Sequence, residues 1–343
     1  MNKQTIDEMV IGKAQLARVG MRKLSNLSSE TRNNALETMA EAIWEQREQI
    51  LAANQIDLEK GERTDLAQPL MKRLELDQQK IEVMADNLRQ VAALPEPIGE
   101  VSRMWERPNG LRIGVVRVPL GVVGVIYESR PNVTIDAAGL CLKSGNAVIL
   151  RGGSESIESN RALYQCIYEG LQESDLDTGI IQLVDTIDRQ AVGELLKMSE
   201  YVDLIIPRGG KSLIQRISDE TRIAVLKHLD GVCHVFIDAE ADLASAYSIA
   251  MNAKTQRYAT CNTMETLLVD REVAARVLPD LAHALCGEGV ELRVCKETAS
   301  VLNGVTDYVR SKLMPVNIPY NLEKLIKVCR EFPLESRRRI TFE

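Results

Sequence analysis

The stretch Val148-Ile149-Leu150-Arg151-Gly152-Gly153-Ser154-Glu155 is a short apolar run that ends in two glycines, and an amphipathic helical pattern begins directly after it. The stretch Leu204-Ile205-Ile206-Pro207-Arg208-Gly209-Gly210-Lys211-Ser212 has the same organisation. Short, continuous apolar runs that alternate with amphipathic helices are typical of a parallel sheet covered by helices on both faces. The sequence therefore predicts an α/β fold built on a parallel sheet.

Further apolar runs extend this pattern along the chain. They predict strands at residues 111–118, 122–127, 147–151, 180–184, 202–206, 223–226, 234–237 and 266–269. Before residue 94, apolar residues recur at spacings of three and four, which predicts a helical N-terminal region. The segment Leu94-Pro95-Glu96-Pro97-Ile98-Gly99 ends that helical pattern, because proline and glycine interrupt helices.

The composition is that of a soluble globular protein long enough for two domains. The 343 residues carry a formal net charge of -7, and only 4% are aromatic. Both values argue against a nucleic-acid partner, which usually binds a basic face and stacks on aromatic rings. No apolar run approaches the length of a membrane span, and residues 1–22 contain no signal-peptide core. We therefore expect a cytoplasmic protein with no membrane partner.

The cysteine and histidine content argues against a disulfide framework and against a metal site. Seven cysteines, without CxxC pairs, fit reduced thiols in the cytoplasm. The three histidines are too few and too scattered for a metal centre. Six of the cysteines mostly lie among apolar residues, where free cysteine behaves as a small core side chain. These six are Cys141, Cys166, Cys233, Cys286, Cys295 and Cys329.

Cys261 differs from the other cysteines because its neighbours are polar. It lies in the run Asn252-Ala253-Lys254-Thr255-Gln256-Arg257-Tyr258-Ala259-Thr260-Cys261-Asn262-Thr263. A nearby cation such as Lys254 or Arg257 lowers the pKa of a thiol and favours the nucleophilic thiolate. We interpret Cys261 as a candidate nucleophile; the alternative is a seventh buried thiol.

Two kinds of group could assist such a nucleophile. Asn132 follows Pro131 at the predicted start of a helix, so its side-chain amide could stabilise a developing oxyanion. Alternatively, Asn132 only caps that helix. A cysteine protease would instead need a general base, and His228 or His234 is available, but no other feature of the sequence marks a protease.

The two glycine junctions are candidate nucleotide-binding loops. Glycine lets a ligand approach the backbone, helix N-termini attract anions, and ligands of open α/β sheets bind at the carboxyl ends of strands. The alternative is ordinary turn chemistry. The chain has no GxGxxG fingerprint after a strand, and Ile205 replaces the first glycine of a phosphate loop. The candidate cofactor-binding residues are Arg151, Gly152, Gly153, Ser154, Pro207, Arg208, Gly209 and Gly210.

Six longer segments carry a resemblance to a known family. They are Val118-Pro119-Leu120-Gly121, Tyr127-Glu128-Ser129-Arg130-Pro131-Asn132-Val133-Thr134, Leu142-Lys143-Ser144-Gly145-Asn146-Ala147, Ile206-Pro207-Arg208-Gly209-Gly210, Lys227-His228-Leu229-Asp230-Gly231-Val232-Cys233-His234 and Asn252-Ala253-Lys254-Thr255-Gln256-Arg257. These segments closely resemble gamma-glutamyl phosphate reductases of the aldehyde dehydrogenase superfamily, and the resemblance extends to about residue 300. It implies a Rossmann-like NADPH-binding domain with N-terminal helices at residues 1–224 and an α/β catalytic domain at residues 225–343.

The resemblance also implies a reaction, the NADPH-dependent reduction of L-glutamate 5-phosphate to L-glutamate 5-semialdehyde and phosphate in proline biosynthesis. Cys261 would attack the acyl phosphate and form a thioester, while Asn132 and the Cys261 amide hold the oxyanion. Arg130 and Arg257 would bind the carboxylate and phosphate of the substrate, because arginine offers planar, bidentate recognition. The family further implies a homo-oligomer and substrate delivery by glutamate 5-kinase.

Three features set this chain apart from related enzymes. Hydrolytic aldehyde dehydrogenases activate water with a glutamate in a Glu-Leu-Gly-Gly context. The matching segment here, His228-Leu229-Asp230-Gly231, contains no glutamate. Its absence fits release of phosphate rather than hydrolysis of the thioester. Tyr258 replaces the family's usual proline, so we expect a looser loop before Cys261. From about Leu302 to Glu343 the chain does not match the family, so we expect the usual C-terminal region, including its oligomerisation hairpin, to be lacking.

These departures leave two alternatives open. One is a truncated, catalytically inactive nucleotide-binding remnant whose incomplete sheets have unpaired edges. The other is an aldehyde dehydrogenase that acts on another substrate.

Overall fold

A computed structural model describes residues 5–227, 231–257 and 260–302. The chain forms two compact units that separate after Lys227. The first unit contains α1 (Ile6–Leu24), α2 (Ser29–Glu45), α3 (Arg47–Arg63), α4 (Gln68–Leu74), α5 (Gln78–Ala93), β1 (Val101–Glu106), β2 (Arg112–Val116), β3 (Val122–Tyr127), α6 (Asn132–Lys143), β4 (Ala147–Arg151), α7 (Ile157–Glu173), β5 (Ile181–Leu183), α8 (Gln190–Leu195), β6 (Leu204–Arg208), α9 (Lys211–Glu220) and β7 (Ala224–Val225). The second unit contains β8 (Cys233–Ile237), α10 (Leu243–Thr255), β9 (Met264–Val269), α11 (Arg271–Gly287) and α12 (Lys296–Leu302).

The centre of the first unit is a five-stranded parallel sheet in the order β5-β4-β3-β6-β7. The chain runs outward from β3 through β4 to β5, and then returns to build β6 and β7 on the other side of β3. In open α/β sheets such a reversal leaves a crevice at the carboxyl ends of the two strands where it occurs. The predicted parallel sheet and the helical N-terminal region are confirmed.

Both faces of this sheet are buried, which explains why its strands are continuous apolar runs. Successive residues of a strand point to opposite faces. Val123, Val125 and Tyr127 of β3 pack in a core that includes residues of α2, α5, α6 and α7. Val122 and Ile126 of the same strand pack in a second core with residues of α1 and α8. Helices therefore cover both faces, as expected for a parallel sheet.

The prediction that residues 111–118 belong to the alternating α/β pattern is wrong. β2 pairs antiparallel with β1 in a separate two-stranded sheet, and β1 was not predicted. Most residues of both strands are exposed, including Val101, Met104, Val115 and Val116. A hairpin without a buried face produces no regular alternation of apolar and polar residues, so its pairing cannot be read from the sequence pattern.

The proline-containing segment after α5 is anchored by Glu96. One carboxylate oxygen of Glu96 accepts from Arg32 Nη2 at 2.7 Å, and the other accepts from the Ile98 amide at 2.9 Å. The Arg32 side chain is only 4% exposed. Burial opposes ionisation of Glu96, but hydrogen bonds from Ser29, Ile98 and Arg32 outweigh it and lower the pKa of Glu96.

Replacing Glu96 by glutamine is expected to lower the free energy of unfolding by about 2 kcal/mol near pH 7, because the buried Arg32 guanidinium loses its carboxylate partner. The pKa of Glu96 is lower in the folded than in the unfolded state, so its stabilisation is present above the ordinary value of 4.5 and is lost as the pH falls through the folded-state pKa. Urea unfolding of both proteins from about pH 7 to pH 4 measures this difference.

The matched control is Glu100→Gln, which removes a carboxylate from the exposed pair with Arg117. This change should cost less than about 1 kcal/mol at any pH. A loss in Glu96→Gln that stays constant as the pH falls would contradict the anchoring role of Glu96.

Gly121, just before β3, has a backbone conformation that residues other than glycine rarely adopt. Its φ is +127°, and a Cβ there would lie 2.0 Å from Asp203 Oδ2. That carboxylate accepts from the Val122 amide at 2.8 Å, and Asn146 Oδ1 accepts from the Gly121 amide at 2.9 Å. The glycine in the segment Val118-Pro119-Leu120-Gly121 therefore has a structural role at the start of the central strand.

Replacing Gly121 by alanine is expected to lower the free energy of unfolding by about 3 kcal/mol or more, because a positive φ and a steric clash both oppose a side chain. Gly110→Ala provides the comparison: Gly110 has a φ of +81° but no atom within 4 Å of its Cβ position. This control should lose only about 1 kcal/mol. Equal losses by urea unfolding would show that the contact with Asp203 has no energetic effect.

In the second unit, β8 and β9 pair in parallel and α10 connects them. Ile237, Ala250, Val277 and Leu281 belong to its core, to which β8, α10 and α11 contribute. The loop between α10 and β9 contains Cys261 and returns the chain to the start of the β-pair. Across both units, none of the described helices combines the length and the apolar character that crossing a bilayer requires.

Candidate active site

A cleft of about 340 Å³ lies at the carboxyl ends of β3 and β4 and beside α8 and α9. It belongs entirely to the first unit and includes the carboxyl end of β3, the strand at which the strand order reverses and beside which ligands of open α/β sheets usually bind. Its polar lining consists of Tyr127, Glu128, Arg151, Ser154, Glu155, Arg189, Ser212 and Arg216. The lining thus includes three arginines and two glutamates.

Arg151 is the buried cation of this cleft. It is 7% exposed, its Nη1 donates to the Gly152 carbonyl at 2.6 Å, and its Nε has no hydrogen-bond partner. Burial lowers the pKa of Arg151; Glu155 opposes this shift, while Arg189 and Arg216 add to it. The three guanidinium groups therefore repel one another, and an anionic ligand would relieve this repulsion.

The two glutamates of the cleft are held by donors of the protein. Glu128 Oε2 accepts from the Gly210 amide at 2.9 Å, at the start of α9. Glu155 Oε1 accepts from both the amide and the hydroxyl of Ser129, each at 2.6 Å. Ser129 is buried and has a φ of +39°. Backbone strain of this kind persists only where the surroundings enforce it, and it is concentrated at functional sites.

The structure separates the predicted cofactor-binding residues into two groups. Arg151, Gly153 and Ser154 line the cleft, whereas Gly152, Pro207, Arg208, Gly209 and Gly210 are not part of its lining. A Cβ at Gly152 would lie 2.1 Å from Asn160 Nδ2, and one at Gly209 would lie 2.7 Å from Glu128. At these two positions the missing side chain makes room for the protein's own residues, so ordinary packing accounts for the glycines.

Six polar residues of the cleft were missed from the sequence: Tyr127, Glu128, Glu155, Arg189, Ser212 and Arg216. Arg189 follows β5, and its position after the carboxyl end of a parallel strand could have indicated it. Ser212 and Arg216 are four residues apart on α9 and therefore share a face of that helix. Nothing in the sequence indicates that this face meets the cleft.

In the second unit, Cys261 is exposed in a loop that is held by the Arg257 backbone. The Arg257 carbonyl accepts from the Thr263 hydroxyl at 2.6 Å, from the Thr260 hydroxyl at 2.9 Å and from the Thr260 amide at 3.3 Å. These bonds fix the residues on either side of Cys261. The alternative that Cys261 is a buried thiol is wrong.

Gly231 and Cys233 pack against the Cys261 carbonyl. The Cys233 thiol donates to this oxygen at 3.4 Å, and a Cβ at Gly231 would lie only 2.6 Å from it. The ammonium group of Lys254 donates to the Met264 carbonyl at 3.0 Å. In this structure Lys254 thus binds the backbone at the start of β9.

The other described cysteines are free, and they differ in exposure. Cys141 and Cys166 are buried, and burial raises the pKa of both thiols to about 12, so they remain protonated. Cys295, however, is exposed, so the prediction that it is a core side chain is wrong. Its sulfur instead accepts from the Thr298 amide at 3.5 Å. Cys329 lies outside the described residues.

Arg130 precedes α6 of the first unit by two residues, and Asn132 begins that helix. Pro131 is the N-cap of α6 and Asn132 is its first residue, so the alternative that Asn132 caps this helix is wrong. The exposed Asn132 amide donates to Asp136 Oδ2 at 2.9 Å. Arg130 is half-buried, whereas Arg257 is exposed in the second unit. Asn132 and Cys261 thus belong to different units, and their shared oxyanion site stays a prediction.

Several predictions from the sequence lie outside the described residues. They concern the absence of a water-activating glutamate at His228-Leu229-Asp230, the effect of Tyr258, and the unmatched tail after Leu302. Within the described ranges, no three His, Cys, Asp or Glu side chains lie close enough together to hold a metal ion.

Comparison with known proteins identifies the family. Residues 3–291 match the model of the aldehyde dehydrogenase family. The gamma-glutamyl phosphate reductase of Thermotoga maritima is 40% identical, with a TM-score of 0.80 over 87% of this chain and 72% of that one. The Saccharomyces cerevisiae gamma-glutamyl phosphate reductase is 34% identical, with a TM-score of 0.60 over 88% of this chain and 76% of that one. An acetylating aldehyde dehydrogenase from Geobacillus thermoglucosidasius is 19% identical, covers 81% of this chain and 59% of that one with a TM-score of 0.59, and shares the fold. On the family match and the two reductase structures, the chain belongs to the aldehyde dehydrogenase family.

Proposed function

We propose that this protein reduces L-glutamate 5-phosphate to L-glutamate 5-semialdehyde and phosphate with NADPH, as a step of proline biosynthesis. The observation that carries this proposal is the likeness in sequence and structure to the Thermotoga maritima gamma-glutamyl phosphate reductase. The exposed thiol of Cys261, in a loop fixed on both sides, supports it, because reduction of an acyl phosphate can proceed through a thioester.

Cys261 is the nucleophile of the proposed reaction. Its thiolate attacks the carbonyl carbon of the acyl phosphate; a carbon–sulfur bond forms, the carbon–oxygen bond to phosphate breaks, and phosphate leaves with the electron pair. Asn132 and the Cys261 amide stabilise the oxyanion that develops during the attack. NADPH, when bound, supplies the hydride that reduces the thioester. The carbon–sulfur bond then breaks, and the semialdehyde leaves a free thiolate behind.

The cleft of the first unit fits the cofactor. Arg151 has a buried Nε without a partner, and it lies beside Ser154 at the carboxyl end of β4. Such a group suits a ligand that carries negative charge together with hydrogen-bond acceptors, as a dinucleotide does. Arg151, Gly153 and Ser154 would hold NADPH. Pro207, Arg208, Gly209 and Gly210 form the end of β6 and the turn that leads into α9.

Two arginines outside the cleft are the proposed partners of the substrate. Arg130 and Arg257 bind the carboxylate and phosphate groups of the substrate, for which their planar guanidinium groups are suited. The substrate is an acyl phosphate, so a kinase that phosphorylates the glutamate side chain, glutamate 5-kinase, must supply it. We place the enzyme in the cytoplasm, with the NADPH-binding domain at residues 1–224 and the catalytic domain at residues 225–343.

The reverse reaction tests this proposal directly. The purified protein is given the semialdehyde and NADP⁺, and NADPH formation is followed with and without inorganic phosphate. NADPH formation that requires phosphate supports an acyl phosphate reductase, because phosphate must attack the thioester in this direction. Oxidation without phosphate would indicate an aldehyde dehydrogenase that hydrolyses its thioester. Nucleotide binding without turnover under either condition would indicate an inactive remnant.

A further inference from the structure

Three arginines line the cleft, but the proposed function gives a role to only one of them, Arg151. Arg151 is the last residue of β4 and is one of the residues proposed to hold NADPH. Arg189 and Arg216 lie at the start of α8 and on α9, and they contact no catalytic group. Arg189 is the N-cap residue of α8, and Arg216 lies in the second turn of α9. Both side chains are exposed and line the same cleft.

The geometry brings these two arginines to one side of the cleft. Arg216 Nη2 lies 3.8 Å from the position that a Cβ of Gly193 would occupy, so the guanidinium of Arg216 rests against α8. Arg189 begins that same helix. Both arginines line the cleft together with Arg151, so three positive charges surround the same cavity.

Few carboxylates of the described chain compensate these charges. Arg216 forms one ion pair, in which its Nε donates to Glu220 Oε1 at 2.8 Å. Arg189 has no ion pair with any described residue. Glu128 and Glu155 also line the cleft, but each already accepts hydrogen bonds from backbone amides. The donors of Arg189 and the Nη atoms of Arg216 therefore remain suited to an anionic ligand.

We infer that Arg189 and Arg216 form a subsite for a phosphate monoester, the 2′-phosphate of the adenosine ribose, and thereby select NADPH over NADH. This inference rests on the proposed function for the identity of the cofactor. A phosphate monoester carries about -1.5 to -2 charges near neutral pH, and arginine binds it in a bidentate manner. A ribose hydroxyl in its place would leave Arg189 without a counter-charge and Arg216 with Glu220 alone.

The pyrophosphate is the less suitable occupant of this subsite. Helix N-termini commonly bind a dinucleotide pyrophosphate through backbone amides. The helix α9 begins at Lys211 after its N-cap Gly210, whereas Arg216 lies more than one helical turn further along that helix. At that distance Arg216 is suited to a different part of the cofactor from the part that a helix N-terminus binds.

Calorimetric titration with adenosine fragments tests the subsite without turnover. The probes are 2′,5′-ADP, 5′-AMP and ADP, and the variants are Arg189→Gln and Arg216→Gln. We expect the natural protein to bind 2′,5′-ADP at least about tenfold more tightly than 5′-AMP, and each variant to lose most of that ratio while its affinity for 5′-AMP stays unchanged. Arg89→Gln is the matched control, since Arg89 is a partly exposed arginine that pairs with Asp86 on α5, outside the cleft.

The other outcomes separate this inference from the proposed function. If 2′,5′-ADP binds no more tightly than 5′-AMP, or if the variants keep the ratio, the subsite is refuted even when the phosphate-dependent reaction occurs. If the variants lose affinity for ADP while the ratio is unchanged, the arginines bind the pyrophosphate and the inference is wrong. If the ratio depends on the arginines but no substrate is turned over, the subsite stands and the proposed reaction fails.

Discussion

The Cys261→Ala variant is expected to lose the phosphate-dependent reaction by a factor of at least about 10³, because no thioester can form without the sulfur. Its affinity for 2′,5′-ADP should be unchanged, since the cleft that we propose for the nucleotide lies in the first unit. Its stability should change by less than about 0.5 kcal/mol, because the replaced side chain is exposed. The measurements are steady-state NADPH formation, calorimetric titration and urea unfolding.

Cys295→Ser is the matched control for this variant. Cys295 is also an exposed, free cysteine of the second unit, but the proposal gives it no chemical role. The serine hydroxyl can still accept from the Thr298 amide, so the local turn should be kept. We expect this variant to retain full activity, and mass spectrometry after incubation with substrate should find the acyl adduct on Cys261. Activity that survives in Cys261→Ala would refute the proposed mechanism.

The Asn132→Ala variant is expected to lower kcat by a factor of about 10² to 10³ with little change in the KM for NADPH, because an oxyanion donor acts mainly in the transition state. Asn132→Asp should lose as much, since a carboxylate of the same shape cannot donate. Asn132 is exposed, so both variants should fold normally. Steady-state kinetics at saturating cofactor measures the effect.

The contact between Asn132 and Asp136 supplies the control for this second prediction. If Asn132 serves only to hold Asp136, then Asp136→Asn should lower kcat as much as Asn132→Ala does. Burial raises the pKa of Asp136, and hydrogen bonds from Asn132 and Asn87 oppose this shift. We expect Asp136→Asn to alter stability slightly and kcat by less than about tenfold. Equal losses in the two variants would count against the oxyanion role.

The central sheet could be predicted because its signal is local. The strands of residues 122–127 and 147–151 match the predicted bounds, since continuous apolar residues are required where both faces of a strand are buried. The predicted strand at residues 202–206 is observed slightly later, at Leu204–Arg208. The hairpin of β1 and β2 escaped prediction because its exposed strands obey no burial pattern.

The candidate site was predictable only where a chemical group stands out within its own segment. Cys261 is recognisable because its neighbours are polar, and its exposure agrees with that interpretation. The glycines of the two junctions were assigned to ligand binding, yet Gly152 and Gly209 make room for Asn160 and Glu128. The occupant of the space beside a glycine comes from a distant part of the chain, so local sequence cannot reveal it.

The sequence alone determined the succession of helices and strands, the parallel sheet, and the choice of Cys261 as the candidate nucleophile, because each depends on side chains that are near one another along the chain. Only the tertiary structure brought Arg151, Arg189 and Arg216 to a single cleft. These arginines come from β4, α8 and α9, and their mutual repulsion acts through space. Electrostatic interactions depend on the distance between charges in the folded protein, and that distance is set by the order in which the sheet arranges its strands.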